Sequence, residues 1–400
     1  MTQTPVSPGN LFAQVLDPAH RSNPYPLYEQ LRETPVAQLD EYEYIVSTYD
    51  EIWDLLHHPS ISKEQRKSKI PVEGLRTVAD QWILFLDPPE HDRLRRLIMD
   101  QFTPERIRGV QGRITEAVTE LLNAQRRQQQ FDLVEHFSYP LPVTVICSLL
   151  GVPREDEKRF HAWADTLTNG LDPALAKDPG ISGAFEEIAQ YMRQLIAERR
   201  ANPKDDMMTG LALGTGPAGR MEDETLASSM VLLLLAGHET TVNLIGNSML
   251  TLLRHPRELQ KLREHPERVS LVIEEMLRYD PPVQFTSRFA LTDITVRGCT
   301  IPQGSRIRLM LAAGSRDPQR FALPNEFDPD RSDNEHLGFG GGVHYCVGAP
   351  LARLEVSLAL TELARRLVQP RLVVDPPPYR ANAVLRGPER LLIAFDHLND

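Results

Sequence analysis

The longest helical pattern in the 400 residues runs from Glu222 to Leu253, and whatever this chain folds into has to be built around it. At about 1.5 Å per residue it would measure roughly 50 Å, enough to cross a domain of this size. It opens with Glu222, Asp223 and Glu224, acids suited to a helix N-terminus. Its middle, Met230 to Ala236, is apolar on every side, as in a helix enclosed by a core, and is far too short to span a bilayer. Polar residues then interrupt it. The segment Ala236-Gly237-His238-Glu239-Thr240-Thr241 puts a glycine, an acid and two hydroxyls where burial should be deepest, which is costly unless those groups find partners. Gly237 weakens the turn, so Thr240 can point its hydroxyl into the gap or bond back to a freed carbonyl. A harmless kink would explain the segment equally well.

A second constraint is Cys346, in the run Phe339-Gly-Gly-Gly-Val-His-Tyr-Cys346-Val-Gly348, followed at once by a helix-forming stretch, Ala349 to Val368. A buried thiolate needs its charge offset. Here the start of that helix, with Pro350 in its first turn, would aim free backbone N–H groups at the sulfur, which is therefore expected to be ionised. As a ligand on haem iron such a sulfur favours O–O cleavage, whereas histidine suits oxygen carriage or peroxidase chemistry.

Periodicity predicts a mainly helical protein with small sheets. Further helices are expected at Pro24–Glu33, Asp50–Leu56, Pro88–Gln101, Pro104–Arg127, Leu133–Leu150, Arg154–Leu167, Gly183–Arg200, Pro256–Arg263 and Pro266–Tyr279. Strands are expected at Ala37–Thr48, Ile294–Arg308, Arg371–Val374 and Leu391–Ala394, crowded toward the chain ends. Ser60–Gln81 and Asp172–Ser182 read as long loops, of the kind that serve as lids or binding loops. No linker or repeat divides the chain, so residues 1–400 are read as one domain. Three scattered cysteines suit neither a disulfide framework nor a zinc cluster, and no secretory leader is evident; a cytoplasmic protein is expected. With 55 acidic against 44 basic residues the formal charge is −11, which argues against a nucleic-acid or anionic-membrane partner. The densest basic cluster is Arg93, Arg95 and Arg96, followed by Arg106, Arg108 and Arg113.

Taken together, the Phe339–Gly348 run and the AGHETT segment resemble the cytochrome P-450 superfamily in its soluble bacterial form, and further motifs match in order along nearly the whole chain. The resemblance implies a single-domain, mainly α fold with small β-sheets, with haem b held between the long central helix and the cysteine loop. It makes Cys346 the proximal iron ligand, with Phe339, Gly340 and Gly348 shaping its loop. Thr240 and Glu239 would form the alcohol and acid that deliver protons where dioxygen is cleaved. Breaking that bond heterolytically needs two protons in a site too dry to supply them from bulk water.

Glu275-Met-Leu-Arg278 sets opposite charges at i and i+3, by itself an ordinary surface pair. In the family such a pair is buried and joins an arginine from an F-x-P-x-R segment, here Phe327 to Arg331, so Glu275, Arg278 and Arg331 are expected to form a network under the cysteine loop. The haem propionates would be met by His91 and Arg95, four residues apart on a helix capped by Asp87, and by Arg288 and His344. Arg93 and Arg96 would face solvent beside the haem, where they could steer an acidic electron donor. The triplet Gly340-Gly341-Gly342 lacks the strand and the lysine of a phosphate loop, and is read as letting backbone approach haem. Lys63, Arg66, Lys67 and Lys69 are read as a solvated loop in preference to a site for a substrate carboxylate.

Pocket walls are expected from Leu232, Leu235 and Ala236, from Val283 and Phe285 in the segment Val283–Thr286, from Val384 in the turn to Arg386, and from the Ser60–Gln81 loop. The function this implies is a monomeric monooxygenase acting with dioxygen on an apolar small molecule. Its electrons would come from a ferredoxin or flavodoxin with an NAD(P)H-dependent reductase. A peroxide-using or non-oxygenating haem-thiolate enzyme and a non-catalytic haem sensor are the other readings; the intact Glu239–Thr240 pair speaks against the first.

Overall fold

The computed structural model describes residues 7–71, 74–214 and 216–400; residues 72 and 73 of the long loop read above and the first six of the chain lie outside it. Its axis is a 32-residue helix, Asp223–Arg254, preceded by Glu222 at the cap position. Because that helix is apolar all round it has to be enclosed, and helices Pro140–Leu150, Gly180–Ala201 and Ala349–Arg366 pack directly against it. Each fully buried Leu or Ile along it, such as Leu226 or Ile245, contributes about 1.5–3 kcal/mol. By length and composition the helix could cross a membrane, yet 83% of its most apolar window is buried inside the fold. Its apolar surface is already covered by protein.

The helix continues unbroken through Gly237–Thr241, which corrects the expected weak turn. A Cβ on Gly237 would lie 3.0 Å from Ile146 Cδ1, so the glycine admits the neighbouring helix instead of opening a gap. Thr240 Oγ1 donates to the Ala236 carbonyl at 2.8 Å and Thr241 Oγ1 to the Gly237 carbonyl at 3.3 Å, the back-bonded option. His238 packs its ring edge-on against Tyr139, 4.4 Å between centroids.

Two expected helices are divided. Pro104–Arg127 becomes Pro104–Gly109 and Gln111–Ala124, with Val110 ending the one and starting the other. Leu133–Leu150 begins with a π-helical turn, Val134–Ser138, before Pro140–Leu150, since Pro140 and Pro142 offer no N–H for the preceding turn to bond. The short helices Pro8–Leu16 and Met207–Leu213 were not expected. Each starts at a side-chain cap, Ser7 accepting from the Asn10 N–H and Asp206 from the Thr209 N–H, but neither run is long enough to show a clear period.

Five strands form the main sheet, in the order Val36–Asp40, Glu43–Val46, Arg306–Leu309, Thr286–Ala290, Ile61–Ser62; the second and third run parallel and the other neighbours antiparallel. Gln130–Asp132 adds a mid-chain strand to Leu392–Ala394, itself paired with Arg371–Leu372. Apart from Gln130–Asp132, the strands lie toward the two ends of the chain as expected, and the main sheet joins residues 36–62 to residues 286–309. A large helical core surrounds the central helix, and two smaller apolar clusters lie at the sheet.

Candidate active site

The cysteine loop is closed by its own backbone. Cys346 N–H donates to the Phe339 carbonyl at 3.1 Å, and Gly340 N–H to Leu337 at 2.9 Å. Gly340 and Gly342 take the left-handed φ values of +69° and +63° that other residues avoid. A Cβ on Gly342 would stand 2.2 Å from the Leu56 carbonyl oxygen, so the close approach made by this glycine is to helix Tyr49–His57 of the protein itself. Helix Ala349–Arg366 starts three residues after the cysteine, and the N–H groups of Gly348 and Ala349 point to the sulfur.

Burial nevertheless outweighs them. It pushes the Cys346 thiol up, against the pull of those N–H groups and of Arg95 and Arg353. The expectation of a sulfur ionised by the protein alone is thus corrected; a bound metal cation is the counter-charge that would deprotonate it. The described residues include no group of three His, Cys, Asp or Glu able to ligate a bare metal ion, so a metal at Cys346 has to bring its other ligands with it.

Beneath the loop, Arg278 is fully buried and uses all its donors. It grips Glu275 with two bonds of 2.8 Å and donates to the carbonyls of Ser315 at 3.1 Å, Pro324 at 2.8 Å and Glu326 at 2.9 Å. Glu275 also accepts from Asp328 N–H at 2.8 Å and Asn334 Nδ2 at 3.3 Å, and Arg331 Nε lies 3.5 Å from it. Arg331 donates in addition to Ala322 and Leu323. One residue earlier, Glu274 takes Arg353 of the cysteine helix in a fork of 2.6 and 2.8 Å and His336 at 3.0 Å. Burial would raise Glu274, but these bonds win and hold it at about 2. Phe339 lies under the Arg353 guanidinium, 4.6 Å from ring centre to charge.

The groups expected to meet propionates converge on the same region. His91 is buried, bonded to Asp92 at 2.8 Å, and its ring lies 4.4 Å from that of His344. Burial, with Arg288, Lys63, His91 and Arg95 nearby, drives His344 far below the usual histidine range, so it is neutral and can donate one hydrogen bond. Arg288 is buried, and among the described residues its guanidinium is held by nothing stronger than Thr286 Oγ1 at 3.2 Å and the Ser287 carbonyl at 3.0 Å. Burial lowers it to about 10, only partly countered by Asp87. Arg95, half-buried and lowered by burial against the pull of Cys346 and Asp92, makes no hydrogen bond or ion pair among the described residues. Two buried or half-buried guanidiniums without a carboxylate, beside two histidines and a thiol, fit a dianionic metal cofactor.

Two neighbouring expectations are corrected. Arg93 is paired with Glu90 at 2.7 Å, which leaves Arg96 as the exposed cation of that pair. Asp87 does not cap the helix, which starts at Glu90 after Pro89. Its carboxylate instead ties down the 60–71 segment, accepting from Ser62 Oγ at 2.5 Å, Lys63 N–H at 2.8 Å and Lys67 Nζ at 2.7 Å. The basic loop is therefore not simply solvated: Lys63 is buried and donates to Thr286 Oγ1 at 2.9 Å, while Lys69 lies over the Tyr42 ring.

A cavity of about 270 Å³ opens on the central helix. Leu232, Leu235, Ala236 and Thr240 form one wall; Val283, Phe285 and Val384 belong to it too. Ala236 carries exposed surface in the middle of an otherwise buried helix, and this cavity is what it faces. Sequence reading missed Trp82, Leu167 and Leu171 on the apolar side and Arg306 and Arg308 on the polar side. Glu239 is buried away from the cavity lining and paired with Arg380 at 2.9 Å, which also approaches Asp165 at 3.6 Å. Nothing local to Glu239 announces Arg380, a loop residue 141 positions further on.

Comparison with known proteins gives a consistent result. The family model for Cytochrome P450 matches residues 34–395. The chain is 37% identical to cytochrome P450 monooxygenase PikC of Streptomyces venezuelae, over 98% of this chain and 96% of that protein. It is also 37% identical to the biotin biosynthesis cytochrome P450 of Bacillus subtilis, over 94% and 96%. Among solved structures, ligand-free CYP164A2 of Mycobacterium smegmatis superposes with a TM-score of 0.89 at 43% identity, covering 96% of this chain and all of that one.

Proposed function

The chain belongs to the cytochrome P450 family and is a haem-iron monooxygenase, and from that premise we propose that it hydroxylates or epoxidises an apolar small molecule using electrons from a separate ferredoxin or flavodoxin and its NAD(P)H-dependent reductase. The observation that carries this reading is Cys346, on a glycine-shaped loop with two backbone N–H groups at its sulfur and uncompensated arginines around it. Haem bound at this sulfur supplies the activation of dioxygen. Arg95, Arg288, His91 and His344 would hold its two propionates, and Glu275, Arg278 and Arg331 would fix the loop without touching the reaction.

Thr240 manages a proton at its Oγ1. To donate into the cavity it must release the Ala236 carbonyl, a rotation about one bond. Glu239 takes protons up away from the cavity lining, where Arg380 orients its carboxylate at 2.9 Å. Leu232, Leu235 and Ala236 keep bulk water from the substrate, so protons have to pass through these side chains. The whole chain works as a single haem-binding unit, monomeric and cytoplasmic, and its formal charge of −11 leaves no role for nucleic acid.

The test is spectroscopic. Purified protein, reduced and exposed to carbon monoxide, is expected to show the strongly red-shifted absorption of thiolate-ligated haem, and Cys346→Ser to lose it. An unshifted spectrum of the wild type would refute the reading. Turnover with surrogate ferredoxin and reductase, compared with peroxide alone, then separates the monooxygenase from a peroxide-driven enzyme.

A further inference from the structure

The lining of the cavity is divided by element. Helical residues such as Leu232, Leu235 and Leu167 make an apolar half, and the sheet with its tethered loop makes a polar half containing Lys63, Thr286, Arg306 and Arg308. The two arginines stand at i and i+2 on strand Arg306–Leu309, and so point to one face of the sheet. Both turn to the same acceptor: Glu43 Oε1 lies 2.7 Å from Arg308 Nε, 2.6 Å from Arg308 Nη2 and 3.2 Å from Arg306 Nε. One carboxylate thus serves two guanidiniums. The other nearby acid, Asp172, spends its oxygens on the backbone N–H groups of Ala174 and Ala383. Arg308 is 5% exposed, and among the described residues neither its Nη1 nor the terminal nitrogens of Arg306 have a hydrogen-bond partner. A surplus positive charge in a wall this buried is costly, and a bound anion would offset the cost.

We propose that the substrate is an amphipathic carboxylate: Arg306 and Arg308 anchor its carboxylate at the sheet, and its apolar body extends along the helical wall toward Thr240. This rests on the monooxygenase reading and narrows its substrate class. The anchor fixes which carbon is presented to the central helix, since the distance from the head group is set by the chain itself.

The experiment compares dodecanoate with methyl dodecanoate on the haem-loaded protein, by spin-state titration and in parallel by calorimetry. Wild type is expected to bind the acid at least about tenfold more tightly than the ester, the worth of one charge-assisted hydrogen bond. Arg306→Gln is expected to weaken the acid by about tenfold and leave the ester unchanged, with Arg306→Lys recovering part of the preference. Arg308→Gln should act in the same direction; if it fails to fold, Arg306→Gln decides alone. Equal binding of acid and ester by wild type, or an acid preference that survives Arg306→Gln, would overturn the anchor. Loss of the carbon monoxide signature in wild type would strike the haem-thiolate reading instead, because calorimetry reads the acid-to-ester ratio independently of it.

Discussion

Arg278 beneath the cysteine loop and Arg288 beside the histidine pair are both buried, yet they are treated oppositely. Arg278 has a bidentate carboxylate and three carbonyls; Arg288 has one hydroxyl and one carbonyl, and burial drags it down to about 10. A fully satisfied buried ion belongs to the fold, since its partners are all supplied by the chain. One left short of counter-charge is held for something that arrives later. The same contrast separates Arg331, ion-paired with Glu275 at 3.5 Å and bonded to the Ala322 and Leu323 carbonyls, from Arg95, which makes no hydrogen bond or ion pair among the described residues.

Substitutions can break that contrast, and the largest effect is expected below the loop. Arg278→Ala strands Glu275 and three carbonyls, and should cost on the order of 3–5 kcal/mol in chemical denaturation, with little haem-loaded protein recovered. A stable, fully loaded variant would abolish the distinction. Arg288→Ala should move the other way: fold stability within about 1 kcal/mol of wild type, but haem transfer to an acceptor globin faster by roughly tenfold to a hundredfold, the worth of a charged hydrogen bond.

Smaller effects sharpen the contrast. Glu274 is held at about 2 against an ordinary 4.5, so its contribution is complete above pH 4.5 and disappears as the pH falls toward 2. Wild type should therefore lose stability more steeply than Glu274→Gln across that window. The difference should be about 1 kcal/mol, well under the full shift, because the carboxylate is nearly one-third exposed. Thr240→Ala should change stability least, by less than about 1 kcal/mol, because one local back-bond is lost. Its effect should appear in the products: more hydrogen peroxide per NAD(P)H oxidised and less oxygenated substrate. Unchanged coupling would remove Thr240 from proton handling.

What the sequence revealed was whatever is encoded at short range. The central helix, the cysteine run and the i, i+3 pair Glu275–Arg278 are local patterns, and the pocket residues Leu232, Leu235 and Ala236 follow from the face of that helix. Tertiary partners were hidden. Gly237 looked like a weakness because its contact, Ile146, comes from another helix. Asp87 looked like a cap because it precedes two prolines, whereas its acceptor capacity goes to Ser62, Lys63 and Lys67. Lys63 read as solvated for want of any sign of Thr286, and Leu171 lay at the edge of a stretch without period yet lines the cavity. Arg380 could not have been paired with Glu239 from spacing at all.

Helix Val269–Tyr279 carries Glu274 and Glu275 on adjacent positions, the one bonded to the helix that follows the cysteine and the other to the strand-free segment that precedes its loop. The loop is thus a bridge with both abutments on one girder. With both ends held by one helix, the position of the sulfur is set by the fold and not by what fills the cavity on the central helix.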